Sequence, residues 1–231
     1  CNMNRRVILE SMGPRATVYF EQKLLNKFEG FDQQIPTLLC VNDGSIPDRS
    51  RFLIDGGKDP SNKLTRNAMA LQDIGADFIC IPCNTAHARG ILDKIQAAID
   101  IPIINMPELV VERLKGVRTK VTLLATRGTL AGDVYQTKLE QAGIKNVRIT
   151  EEQQCIVDEI ITSTKKGDII KAKNLAVNLS YELPGYIILG CTELSIAFED
   201  VCSTRKNIID SLEILAESCA IIVKEEVYAS R

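Results

Sequence analysis

A single histidine, His87, stands in a chain of 231 residues. A histidine-built metal centre is therefore excluded, and His87 is the one histidine that a Ser-His-Asp triad could use. Basic excess is lacking as well: 28 Lys and Arg against 30 Asp and Glu give a formal charge of −2. That removes the electrostatic support for a nucleic-acid or membrane-surface partner. No apolar run reaches the length of a membrane span. The opening residues, Cys1-Asn2-Met3-Asn4-Arg5-Arg6, show no apolar signal core. No Pro- or Ser-rich linker and no low-complexity tract divides the chain.

What remains is the balance of a soluble globular protein, 45% hydrophobic and 25% charged, and a chain this long can bury a sizeable core. The eight cysteines are Cys1, Cys40, Cys80, Cys83, Cys155, Cys191, Cys202 and Cys219. Their density is low for a disulfide scaffold, so reduced thiols in a cytoplasm are expected, most of them acting as small buried hydrophobes.

Short apolar runs alternate with amphipathic stretches, the pattern of an α/β protein with parallel sheets. The runs are Val7–Leu9, Thr37–Val41, Phe78–Ile81, Ile101–Ile104, Val121–Ala125, Val147–Ile149, Tyr186–Leu189 and Ile208-Ile209. Strands covered by helices on both faces read this way. Leu64, Ala68, Leu71 and Ile74 share one helical face, with Pro60-Ser61 as start and Gly75 as stop. Leu92, Ile95 and Ile99 predict a second helix. Leu130, Val134 and Leu139 predict one more, before Gly143. Ile169, Ala172, Ala176, Leu179 and Leu183 form another face, ended by Pro184-Gly185, and a last helix is expected from about Ser211 to Tyr228.

A weak internal repeat joins the two parts of the chain. Arg6-Val7-Ile8-Leu9 echoes Lys120-Val121-Thr122-Leu123, and Ala76–Thr85 echoes Pro184–Thr192 at nearly the same offset. Two α/β sub-domains related by a pseudo-two-fold axis are expected, with parallel sheets, flanking helices and the active site in the cleft between them. The first is read as 1–105 plus 207–231, the second as 106–206.

Cys83 and Cys191 share a setting within this repeat. Each follows an apolar strand-like run and precedes a helix-like segment. Ligands of open α/β sheets bind beyond the carboxyl ends of the strands. The positive end of a following helix favours a thiolate there and lowers the thiol pKa. Asn84, Thr85 and Thr192 add hydrogen-bonding groups. Two thiols facing one cleft suit inversion of a carbon: one thiolate removes a proton from one face, and the other thiol returns a proton to the opposite face. The resulting carbanion requires fixed donors and cations around it. Cys80-Ile81-Pro82-Cys83 also has the spacing of a redox or zinc pair. Zinc needs about four ligands, no second such pair exists, and Cys80 lies inside the apolar run.

The segments Pro82-Cys83-Asn84-Thr85-Ala86-His87 and Gly190-Cys191-Thr192-Glu193-Leu194 resemble the two cysteine signatures of the aspartate/glutamate racemase family. The resemblance covers nearly the whole chain. It implies racemisation of an acidic amino acid, most of all aspartate, without pyridoxal phosphate, metal or any other cofactor, and with Cys83 and Cys191 as the two acid/base residues. It also implies a homodimer. Met12 lies in the segment Met12–Thr17, similar to the family's first-strand loop. Ile46-Pro47-Asp48-Arg49 resembles the segment whose arginine binds substrate carboxylate. Lys165-Lys166-Gly167 resembles the segment with a substrate-binding lysine, for which Lys165 aligns best and Lys166 is the rival. Thr126-Arg127-Gly128-Thr129 resembles a carboxylate-holding loop.

Glu193 stands where cell-wall glutamate racemases carry histidine, which places the chain nearer the aspartate branch. Arg49 and Lys165 fit a substrate with two carboxylates. Glu10-Ser11 replaces the usual Gly-Gly, so Glu10 either points away from the cleft or alters substrate choice. Several residues keep a structural reading beside the functional one. Asn84, Thr126 and Thr129 are also helix caps by type, Glu193 is also a first-turn acid, and His87 reads as a hydrogen-bonding group near a helix start. A maleate isomerase, a hydantoin racemase and a non-catalytic binder of acidic amino acids are the alternatives.

Overall fold

The protein is described here by a computed structural model over residues 6–11 and 14–229, with side chains over 14–224. Among the described residues, eight strands form two four-stranded parallel sheets. The first holds β1 (Arg6–Ser11), β2 (Thr37–Asn42), β3 (Phe78–Cys80) and β4 (Ile103–Ile104), in the order β2-β1-β3-β4. The second holds β5 (Val121–Ala125), β6 (Asn146–Val147), β7 (Tyr186–Gly190) and β8 (Ile208–Asp210), in the order β6-β5-β7-β8. The two orders are the same topology, as the internal repeat anticipates. Every pairing is parallel.

All five residues of β5 are buried, which explains why four of them are apolar, and the one polar residue, Thr122, donates to the Pro184 carbonyl at 3.1 Å. Around the first sheet run α1 (Pro14–Leu25), α2 (Arg49–Asp55), α3 (Ser61–Asp73), α4 (Arg89–Gln96) and α5 (Met106–Arg113). The second carries α6 (Arg127–Ala131), α7 (Gln136–Gln141), α8 (Glu151–Lys166), α9 (Ile169–Glu182), α10 (Thr192–Ala197) and α11 (Glu199–Thr204). The last helix is α12 (Ser211–Ala229). In α3 the expected face is buried at Leu64, Ala68 and Leu71 but not at Ile74, which follows the last helical residue and is exposed. Helix α8 starts at a Thr150/Gln153 capping box and stops at Gly167, whose left-handed φ of 87° favours glycine. No described helix is long and apolar enough to cross a membrane.

Two expectations change. The stretch from Leu130 to Leu139 is two short helices rather than one. Asp133 turns the chain with a φ of 49° and accepts the Thr137 amide at 3.0 Å. The turn delivers Val134 and Tyr135 to the core, which a continuous helix would not do. The boundary near 206 also moves. Strand β8, grouped with the first part by sequence, pairs with β7. Only α12 crosses back, packing Leu212, Leu215, Cys219 and Val223 against Phe20 and Leu24 of α1 and Met106 of α5. The apolar face of α12 needs a partner, and α1 and α5 supply it.

The two halves meet closely where α2 crosses α6. A Cβ placed on Gly128 would lie 2.4 Å from the Ser50 Cα, so only glycine allows this approach. Gly128→Ala is expected to lower the melting temperature by about 3–8 °C, from an overpacking cost of about 1–3 kcal/mol. A thermal melt checks this, and an unchanged midpoint would show that the two helices separate freely.

Candidate active site

Both sheets end in the same way. After β3 the chain passes through Ile81-Pro82 to Cys83, and after β7 it reaches Cys191 directly. Both cysteines are extended, with φ/ψ of −149°/110° and −152°/136°, so each continues its strand line into the space beyond the sheet. The two line one cleft with Asp48, Arg49, Ser50, Pro82, Asn84, Thr85, Thr126, Lys165, Thr192 and Glu193. The cleft is a narrow slot, with a cavity volume of about 30 Å³ between its walls.

Nine of the eleven residues singled out by sequence meet here. Met12 lies outside the described residues, as do the side chains of Glu10 and Ser11. Thr129 does not line the cleft: it is fully buried behind Thr126. Its hydroxyl lies 2.8 Å from the Thr85 hydroxyl and 2.9 Å from that of Thr126, and Thr85 and Thr126 are 3.1 Å apart. Thr126 also caps α6, accepting the Thr129 amide at 3.0 Å. Thr126 is therefore a helix cap that also lines the cleft, while Thr129 hydrogen-bonds the other two threonines from behind. Asp48, Ser50 and Pro82 were not singled out. Asp48 caps α2 through the Arg51 amide at 2.8 Å, and an N-cap aspartate next to Arg49 is the signal that sequence offered.

The lowering expected of the Cys191 thiol from the following helix is overturned. Asn84–His87 after Cys83 is a single 3₁₀ turn, and α10 after Cys191 is six residues long. Cys191 is 5% exposed. Burial pushes its thiol well above the ordinary value, and the neighbouring Glu193 carboxylate adds to the rise. The Cys191 thiol donates to Glu193 Oε2 at 3.0 Å, and the Thr192 hydroxyl donates to the same oxygen at 3.3 Å. Glu193 thus binds the thiol proton, beyond its first-turn position in α10.

Lys165 reaches the cleft from the end of α8, and Lys166 does not line it. Burial of its ammonium pulls the Lys165 pKa down, but Glu193 and Cys191 pull it up further, so it stays above its ordinary value. Arg49, at the first turn of α2, donates from Nη1 to the Pro47 carbonyl at 3.3 Å. A second chamber continues outward from the mouth, bounded by Arg15, Arg49 and Lys165 together with Asp48 and Glu193. By sequence Arg15 stands out only as a member of the first-strand loop. Its arrival here depends on how α1 packs beside Gly167.

His87 is buried, with Nδ1 2.9 Å from the Cys83 carbonyl oxygen. Burial holds its pKa below the ordinary value. It does not line the cleft, so it braces the Cys83 turn as a neutral ring. Cys80 points to the opposite side of β3, where its sulfur lies 2.7 Å from that of Cys219 within the α1/α12 core. Cys80 and Cys83 therefore do not act as a C-x-x-C pair.

Twin parallel sheets with a cysteine beyond one strand of each, facing one cation-rimmed cleft, define an α/β protein equipped for chemistry at a small anionic molecule. Residues 9–219 match the family model described as Asp/Glu/Hydantoin racemase, and the chain belongs to that family. Its relatives include the broad specificity amino-acid racemase RacX of Bacillus subtilis, 28% identical over 223 residues, covering 91% of this chain and 94% of RacX. Among solved structures, the Picrophilus torridus aspartate racemase superposes with a TM-score of 0.83 at 29% identity, covering 94% of this chain and 93% of the other. An aspartate racemase homologue from Pyrococcus horikoshii, 24% identical with a TM-score of 0.71, covers 96% and 99% and shares the fold.

Replacing Glu193 by Gln removes one of the two groups of causes that raise the Cys191 thiol. In a Cys83→Ser background, the pH at which Cys191 takes up iodoacetamide, followed by peptide mass mapping, is expected to fall in Glu193→Gln. It should remain above that of an exposed thiol, because burial persists. An unmoved profile would separate Glu193 from the thiol.

Proposed function

We propose that this protein interconverts L- and D-aspartate without a cofactor, using Cys83 and Cys191 as two bases. The observation that carries this reading is the presence of both thiols in one narrow cleft rimmed by Arg49 and Lys165. The likeness to the Picrophilus torridus aspartate racemase supports aspartate as the substrate. A second carboxylate on the substrate finds its counter-charge in Arg49 and Lys165, with Arg15 in the chamber beyond.

One cysteine as thiolate removes the α-proton, the electron pair passes into the carboxylate to give an enediolate, and the other cysteine as thiol protonates the opposite face. The buried Cys191 enters as the proton donor, since burial and Glu193 favour its protonated form. Asn84, Thr85, Thr126 and Thr192 supply donors to the α-carboxylate, where the negative charge develops.

Incubation of L- and D-aspartate in deuterated water, with no metal or pyridoxal phosphate added, tests the mechanism. Racemisation with α-deuterium uptake is expected for the wild type, with a loss of about 10³-fold or more in both Cys83→Ser and Cys191→Ser. Full activity in either variant refutes the two-base reading. Turnover of maleate or a hydantoin in place of aspartate would reassign the substrate, and aspartate binding without turnover would make the protein a binder.

Arg49→Ala is expected to raise KM for aspartate by about 10- to 100-fold, the scale of a lost charge-assisted hydrogen bond. A smaller effect on alanine, which lacks the second carboxylate, is expected in the same assay. Equal effects on both substrates would place Arg49 at the α-carboxylate instead.

A further inference from the structure

Asn84 is 2% exposed, yet it lines the cleft beside Cys83. Its carboxamide can act as donor or acceptor toward any neighbour, depending on which way it is turned. The surroundings allow one orientation. The Ser211 hydroxyl, at the start of α12, lies 2.7 Å from the Leu189 carbonyl oxygen. A carbonyl carries no proton, so the serine hydrogen is committed there. Ser211 Oγ can then only accept from Asn84, at 3.1 Å, which puts Nδ2 on that side. Asn84 Oδ1 faces Tyr135, whose hydroxyl donates to it. Tyr135 is fully buried, and burial holds its phenol well above the ordinary range, so it keeps its proton at any working pH.

The directions follow from the Leu189 carbonyl, with Ser211 donating to Leu189, Asn84 to Ser211 and Tyr135 to Asn84, while the Tyr135 hydroxyl also lies within hydrogen-bond reach of Ser211. Asn84 follows Cys83 directly, and Leu189 lies two residues before Cys191. The relay therefore ties the turn that carries Cys83 to the end of β7, just before Cys191. It also leaves the second N–H of Asn84 uncommitted to Ser211 and on the cleft residue that a carboxylate would meet.

We propose that Tyr135 and Ser211 are positioning residues that lock the Asn84 carboxamide with an N–H, rather than its oxygen, toward the substrate α-carboxylate. This rests on the racemase reading above. Without the Tyr135 hydroxyl, Asn84 Oδ1 loses its donor, and the amide can turn over once the Ser211 hydrogen swings from Leu189 to it. It would then present Oδ1 to an anion, exchanging attraction for repulsion at the point where charge grows during proton removal.

The test is a double-mutant cycle of Tyr135→Phe and Asn84→Ala, read as KM and kcat for both enantiomers of aspartate, with melting temperatures measured alongside. Tyr135→Phe is expected to raise KM about tenfold or more, with a smaller fall in kcat. Asn84→Ala is expected to do at least as much. The double variant should match Asn84→Ala alone, because Tyr135 acts through that residue. A Tyr135→Phe KM within about twofold of wild type, or losses that multiply in the double variant, would overturn the proposal. A general structural role would give multiplying losses together with lowered melting temperatures. Should Tyr135→Phe show no cooperative melt, Ser211→Ala replaces it in the cycle under the same criteria. Wild type that racemises neither aspartate nor glutamate defeats the racemase reading and this proposal with it. An active wild type beside an unaltered Tyr135→Phe defeats this proposal alone.

Discussion

Two consecutive residues, Asn84 and Thr85, bridge the halves of the molecule through buried hydrogen bonds, and the shape of the cleft depends on them. Thr85 meets Thr126 and Thr129 at the head of α6. Asn84 meets Tyr135 ahead of α7 and Ser211 at the head of α12. A polar group withdrawn from water costs about 1–3 kcal/mol if its partner is lost. These contacts are therefore specific rather than merely adhesive. They fix where the loop after β3 stands against the loops after β5 and β8, which apolar packing alone would leave free to slide. The glycine contact at Gly128 and Ser50 sets the same seam from the outside, by excluding a side chain.

Within that seam the electrostatics are uneven, although the sheets share one topology. Cys191 has a carboxylate partner in Glu193 and is enclosed, whereas Cys83 is less buried and follows Pro82. Lys165 faces both Glu193 and the thiols. A repeat of fold thus carries two thiols in different surroundings. The difference arises within the turn after β7 itself, where Glu193 follows Cys191 by two residues, while Lys165 from the end of α8 and Arg49 from α2 line the cleft beside both thiols.

Much of the fold was legible in the residues. Every described strand overlaps an anticipated apolar run; the central strands β3, β5 and β7 are the ones whose burial explains it, while the outer strands β2, β4, β6 and β8 are only half-buried or exposed. Helices α3, α9 and α12 follow from their spacing and their stops. The break between α6 and α7 was not legible. Leu130, Val134 and Leu139 keep a helical rhythm on paper, but Asp133 takes a left-handed turn that serves Tyr135, whose partner Asn84 is distant in sequence. The placing of β8 failed for a related reason: a short apolar pair does not say which sheet edge it will complete.

The site divides along the same line. The chain itself determined the chemistry available: which residues are thiols, which hydroxyls and amides follow them, and which strands carry them to a sheet end. These are local properties, written in composition and short spacing. Tertiary structure alone decided which groups face one another. It sent Cys80 to Cys219 and Cys83 to the cleft, withdrew Thr129 behind Thr126, brought Arg15 to the mouth, and raised the Cys191 thiol where a helix end had been expected to lower it. Those outcomes depend on burial and on partners far apart in the chain, and both exist only once the two sheets have packed against each other.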